Sequence, residues 1–230
     1  MKVEKNIFND TASYYDEILP PHISEHYLEK RISFFSRYLK HNSRILDVGC
    51  GTGRLMINLS RGDRLGIYGC DNSMGMLKNA PERSKMHIAC CISDHLSYKA
   101  DTFDAVVSVA VFHHLYSETI ALQTIREMIR VVKKGGKVII WDANFLNPYW
   151  RFLFKRIPYD KNAKGVISLS KIIREAKSNN LAGIKVIKSG WIPDFAPKTL
   201  LLLFKFFEYI MERMPIIKLF SAHNIVIFTK

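Results

Sequence analysis

The stretch from Arg44 to Arg54, Arg-Ile-Leu-Asp-Val-Gly-Cys-Gly-Thr-Gly-Arg, constrains the fold more than any other part of the 230-residue chain. Ile45, Leu46 and Val48 form a short apolar run. Gly49, Gly51 and Gly53 follow as a turn, and Leu55, Met56 and Leu59 resume at helical spacing. Strand, glycine loop and helix in that order build a ligand cradle, because a loop without Cβ atoms admits a ligand to its backbone and the N–H groups of the helix terminus face it. Asp47 sets the charge of that ligand. Two residues ahead of the first glycine, its carboxylate would repel a pyrophosphate and attract an ammonium or sulfonium group. The phosphate-binding signatures do not fit: Arg54 stands where a dinucleotide fingerprint needs its third glycine, and no Gly-Lys-Ser/Thr follows the turn.

Leu46 to Gly53 resembles the first signature of class I S-adenosylmethionine-dependent methyltransferases, whose ligand joins a zwitterionic amino acid to adenosine through a sulfonium. The resemblance runs over roughly residues 40 to 145 and continues beyond them only in architecture. It implies an α/β, Rossmann-like fold: a doubly wound, seven-stranded, mostly parallel sheet with helices on both faces and an antiparallel last strand between the fifth and sixth. It also implies one methyltransferase domain over 1–230, with a leading helical cap at 1–40, a cofactor-binding half at 41–146 and a substrate-side half at 147–230.

The elements follow in order. Ile23 to Leu39 keeps helical spacing, and Leu65 to Asp71 reads as a second strand with an acid at its tip. In a doubly wound sheet that tip opens on the ligand crevice, so Asp71 is expected to receive the ribose hydroxyls. Asn72 to Leu77 starts a helix, with Ser73 as N-cap and Met76 as an apolar wall for the adenine. Met86 to Cys91 is a third strand. Many relatives follow it with an aspartate for the adenine amino group, but Ile92 stands there, so backbone groups near Cys91 to Ser93 are expected to hold the base, with Asp94 second.

Thr102 to Ala110 is an apolar run suited to a central strand, and it leads into Val111-Phe-His-His-Leu115. Ser117 caps the next helix, whose stripe is Ala121, Ile125, Met128, Ile129 and Val132; Gly135-Gly136 are expected to end it before a strand at 137–143. The resemblance implies that Tyr15, Asp47, Gly49, Cys50, Gly51, Asp71, Asn72, Met76, Ile92, Ser93 and Ala110 surround S-adenosyl-L-methionine. His113 and His114 are the first candidates for a catalytic base, because imidazole titrates near working pH, and His22 and His26 are weaker rivals. No metal site is expected. Cys50, Cys70 and Cys90 fall at the tips of the first three predicted strands, but thiol chemistry on a soft element is a remote alternative.

The second half differs in charge. From Asn147 onward there are fifteen Lys and Arg against five Asp and Glu, so this part carries +10 of the net +13. A solvated basic face or an anionic partner accounts for it: a phosphorylated lipid, a membrane surface, or RNA. Asn147 to Pro158 mixes aromatics with Arg151, Lys155 and Arg156 and reads as a connecting segment or a lid. Ser170 to Asn180 is helical with Ile172, Ile173 and Ala176 inward, 183–188 alternates like a strand, and His223 to Phe228 is the last strand. Leu200 to Met211 is apolar except for Lys205 and Glu208. A buried helix is the first reading, with a membrane-interface helix or a pocket roof as alternatives.

No secretory signal is visible, and the four cysteines show no paired spacing, so a reduced, cytoplasmic setting is expected. The function expected first is methyl transfer to a small-molecule or lipid-like acceptor. Ser108 to Leu115 also resembles wobble-uridine tRNA methyltransferases, which makes a nucleic acid acceptor the alternative. A non-catalytic cofactor-binding partner subunit is the reading from another class.

Overall fold

The computed structural model describes residues 7–63, 66–80, 87–150 and 167–230. Among them seven strands form one sheet: β1 (Arg44–Val48), β2 (Gly66–Asp71), β3 (His87–Cys90), β4 (Phe103–Val109), β5 (Val132–Ala143), β6 (Ala182–Ser189) and β7 (His223–Thr229), in the order β3-β2-β1-β4-β5-β7-β6. Strands β1 to β5 are parallel, and β7 pairs antiparallel with both β5 and β6. The chain winds outward from β1 to β3 and then resumes on the other side of β1 with β4. That reversal opens a crevice at the carboxyl ends of β1 and β4, where ligands of such sheets bind.

The helices are α1 (Ile7–Thr11), α2 (Pro21–Tyr38), α3 (Arg54–Asp63), α4 (Met74–Lys78), α5 (Glu118–Val131), α6 (Leu169–Ser178) and α7 (Leu201–Met211). Successive strand residues point to opposite faces, and the central strands are apolar at both parities, so each face gains its own core. Ile45, Val107, Ile139 and Trp141 meet Phe35 of α2 and Met56 and Leu59 of α3 on one side. Leu46, Val106, Ile140 and Val226 meet Ile125 and Met128 of α5 and Ile172 and Ala176 of α6 on the other. Each such fully buried side chain stabilises the fold by about 1.5–3 kcal/mol.

Ser73 and Ser117 cap their helices as expected, accepting hydrogen bonds from Met76 N and Ile120 N, each at 3.2 Å. Three elements differ from the sequence reading. Helix α5 ends at Val131, and β5 takes in Lys133, Lys134 and both glycines. The reason is pairing: Val132 is in register with Phe103, Gly135 N donates to Lys230 O, and Lys133 forms a 2.6 Å ion pair with Asp104. In α6 the inward positions are Ile172, Glu175 and Ala176, with Glu175 accepting Arg126 Nε at 2.7 Å. Helix α7 was read first as buried, yet its only buried residue is Glu208. The expected lid at 147–158 lies outside the described residues from Arg151 onward.

Candidate active site

The tips of β1, β2 and β4 enclose a cavity of about 370 Å3. Its floor is the glycine loop, fastened to the sheet because Gly49 N and Cys50 N both donate to Cys70 O, at 2.8 and 3.0 Å. Gly49 has φ +78°, and a Cβ there would stand 2.3 Å from Val111 Cγ2, so only glycine lets β1 turn this close to the segment after β4. Gly51 also has a positive φ, +54°, but a Cβ there would meet nothing within 4 Å, which leaves the loop open toward the cavity.

Asp47 is 3% exposed, and its Oδ1 has no hydrogen-bond partner. Burial lifts its pKa to about 7, the Asp71 charge adds to the rise, and Arg31 opposes it. Asp71 accepts Gly51 N at 2.9 Å and Ser73 N at 2.8 Å, one on each oxygen, which leaves both oxygens further lone pairs on the cavity side. Its pKa is raised because burial outweighs those backbone donors.

The leading segment closes the other side. Asp16 accepts Thr52 Oγ1 at 3.0 Å, and Asn9 Oδ1 accepts Ser73 Oγ and Gly75 N, both at 2.8 Å, so Phe8 and Tyr15 come to line the cavity.

After β4, Ala110 takes a left-handed conformation (φ 59°) and a 3-10 turn follows over Phe112–His114. Asp142, at the tip of β5, holds that turn. Its Oδ2 accepts Val111 N at 3.0 Å and Phe112 N at 2.6 Å, and its Oδ1 lies 2.6 Å from His113 Nδ1. Burial would raise the Asp142 carboxyl, but His113 outweighs it and the net shift is downward. The Asp142 carboxylate against Nδ1 fixes the orientation of the His113 ring on the cavity wall. His114 differs: burial, then the neighbouring His113, lowers its pKa to about 3, so it stays neutral while packing edge-on to Phe8 at 4.9 Å.

All but one of the residues expected around the cofactor line this cavity, as do both histidines. The exception is Ile92, which is 54% exposed and outside the wall, whereas Cys91 and Ser93 belong to it. Turned to solvent after β3, Ile92 leaves its neighbours to face the cavity. Asp94 is likewise absent from the lining. His22 and His26 are tied up elsewhere, with Ala196 O at 2.7 Å and Glu208 at 3.0 Å. Cys50 and Cys70 line the cavity while Cys90 is exposed.

The sequence reading missed Asp142, Arg31 and His223. Asp142 carried a signal, an acid closing the apolar run Val138 to Trp141. Arg31 and His223 lie far from the motif in sequence and reach the wall only through folding. Arg31 Nε and His223 Nδ1, like Asp47 Oδ1, are buried on the lining without a hydrogen-bond partner. A cavity that presents an unpaired carboxylate oxygen, an unpaired guanidinium N–H and a bare backbone loop fits a ligand with ammonium, carboxylate and nucleoside parts.

Fold, loop and acid pair define the class of the matched region: it is a methyltransferase domain with the class I, S-adenosylmethionine-dependent architecture. Residues 45–136 match the family described as "Methyltransferase domain". The chain is similar to the tRNA (carboxymethyluridine(34)-5-O)-methyltransferase of Xenopus tropicalis, 29% identical over 178 residues, covering 76% of this chain and 26% of that one. It is also similar to the protein of that activity name from Arabidopsis thaliana, 33% identical over 132 residues, covering 56% and 32%. The chain thus spans about a quarter to a third of the length of these curated relatives. Among solved structures, a Haloferax volcanii methyltransferase in complex with the Trm112 methyltransferase activator superposes with a TM-score of 0.70 at 17% identity, over 98% of both chains. A SAM-dependent methyltransferase from Thermotoga maritima gives a TM-score of 0.71 at 16% identity, over 97% and 98%.

Proposed function

We propose that the protein transfers the methyl group of S-adenosylmethionine to an oxygen of a carboxymethyl-modified wobble uridine in tRNA. The observation that carries this reading is the 178-residue similarity to the Xenopus tropicalis enzyme, which extends well past the 92 residues of the general family match. The basic portion from residue 147, read as the acceptor side, supports it with +10 of charge toward an RNA backbone. These relatives weigh for the tRNA alternative and against the small-molecule or lipid-like acceptor expected first.

In this reading Asp47 receives the cofactor's ammonium, Arg31 faces its carboxylate and Asp71 takes the ribose hydroxyls. Tyr15, Met76 and the backbone near Cys91 and Ser93 enclose the nucleoside. The bound cofactor supplies a methyl already activated on a sulfonium. The protein then has to align the acceptor and exclude water, and alignment alone supplies a large part of the rate. A carboxymethyl oxygen is already ionised at neutral pH, so no base is required. His113, its ring oriented by Asp142, helps to position the acceptor at the cavity wall, and His114 walls the cleft.

The test is a transfer assay with labelled S-adenosylmethionine on RNA, small-molecule and lipid fractions of a cell extract, followed by nucleoside analysis. Label in a methyl ester of carboxymethyluridine is expected. Label confined to the lipid or small-molecule fraction would overturn the reading. His113→Ala is expected to lower the single-turnover rate by roughly 10- to 100-fold with little change in cofactor affinity. An unchanged rate would remove His113 from the reaction.

A further inference from the structure

Helix α7 is mounted with its polar side in and its apolar side out. Leu201, Phe204, Glu208 and Glu212 recur at helical spacing along the inner face. Leu201 and Phe204 pack on Ile23, Ile192 and Ala196. Glu208 accepts hydrogen bonds from Trp191 N at 2.8 Å and His26 Nε2 at 3.0 Å, and Lys30 Nζ of α2 stands 2.9 Å away. Glu212 accepts Gly190 N at 2.7 Å and Ser189 Oγ at 3.0 Å and also pairs with Lys30. Burial would raise the Glu208 carboxyl, but His26 and Lys30 outweigh it and lower the pKa to about 2. Rolling the helix to hide its leucines would strand Lys30, His26 and two backbone N–H groups, so these contacts hold the apolar side outward.

That outer side is large. Leu202 is 81% exposed, Leu203, Phe206, Phe207 and Ile210 are exposed beside it, and Ile216 follows at 73%. Monomeric soluble proteins rarely leave such a contiguous apolar patch without a partner. The outward charges of its own segment are of one sign. Between residues 195 and 220 the cations are Lys198, Lys205, Arg213 and Lys218, and the only acids are Glu208 and Glu212, both turned inward. Lys205 additionally reaches Glu29 of α2 at 3.7 Å, and Arg213 lies over the Tyr209 ring at 3.3 Å.

Cations and the exposed rings of Phe206, Phe207 and Tyr209 would suit RNA, but Leu202, Leu203, Ile210 and Ile216, which make up the rest of the face, do not, because they offer neither charge nor ring faces for bases to stack on. An apolar helical face with a cationic rim matches a bilayer surface, where the apolar side chains enter the acyl boundary and the cations meet anionic headgroups. No helix among the described residues is long and apolar enough to cross a membrane, and α7 has eleven residues.

We propose that α7 and the segment onward to Phe220 dock the protein flat on an anionic lipid surface, outer face down. This surface is separate from the acceptor assignment, and its test reads binding rather than turnover. The full chain is sedimented with vesicles of phosphatidylcholine alone and of phosphatidylcholine mixed with phosphatidylglycerol. It is expected to partition at least about tenfold more strongly onto the mixed vesicles. Two variants, Leu202→Ser/Phe206→Ser and Lys198→Glu/Lys218→Glu, are each expected to lose about tenfold or more in partitioning while retaining wild-type cofactor affinity and melting temperature. Lys198 is exposed and Lys218 half-buried, and neither belongs to the inner face of α7, so the charge-reversal pair keeps the test decisive should the serine pair disturb packing. Wild-type partitioning in both variants would overturn the proposal. A dimer in light scattering that the serine pair dissolves, without vesicle binding, would assign the face to a second copy. Loss of tRNA binding in place of vesicle binding would assign it to RNA.

Discussion

A buried carboxylate oxygen without a partner is costly, and Asp47 is such a group at the floor of the cavity. An acid whose folded pKa is raised holds its proton longer in the folded than in the unfolded chain. Ionising Asp47 therefore costs the ligand-free fold stability as pH rises from about 4, its unfolded value, to about 7, with no further loss above that. A cationic ligand needs the ionised form. Affinity for S-adenosylmethionine is therefore expected to rise about tenfold from about pH 6 to about pH 8, measured by calorimetry. Asp47→Asn should bind weakly with a flat profile, and a flat profile in the wild type would contradict the placement of the ammonium. Asp47 and Asp71 were legible in the sequence because each is a polar residue closing an apolar strand at a tip that the fold turns toward the ligand. Arg31 was not, since on an amphipathic helix one arginine reads like any other until the packing of α2 on α3 carries it to the cavity.

At the scale of elements, the glycine loop separates two kinds of constraint. At Gly49 the left-handed backbone and the contact with Val111 act together, so Gly49→Ala is expected to cost about 2–4 kcal/mol, mostly from forcing β1 away from the turn after β4. For a chain of this length that is a melting temperature lowered by roughly 5–15 °C. At Gly51 only the backbone conformation resists, so Gly51→Ala should cost about 1 kcal/mol in stability while weakening cofactor binding, because its methyl group enters the cavity. Thermal melts with and without cofactor distinguish the two, and equal stability losses would refute the distinction. The strand, loop and helix around these glycines were readable from local spacing. The end of α5 was not: Lys133 to Gly136 has the composition of a helix C-terminus, and only the ladder with Phe103 and Lys230 turns it into strand.

At the scale of the whole molecule, most of the excess charge lies in the part from residue 147 onward, which contributes β6 and β7 to the sheet. If about six of its cations neutralise phosphates, tRNA affinity is expected to fall about a thousandfold between about 50 and 200 mM salt, read by gel shift. A shallow salt dependence would place those cations away from the RNA. By itself the sequence determined the sheet's parity, its glycine loop and the two acids at neighbouring strand tips, because these follow from local periodicity and from backbone chemistry within a few residues. Only the tertiary structure decided which side of α7 faces outward and which residues hold His113. Those outcomes depend on charges brought together from positions more than twenty residues apart, such as His26 with Glu208 and Asp142 with His113, whose pairing no local pattern records.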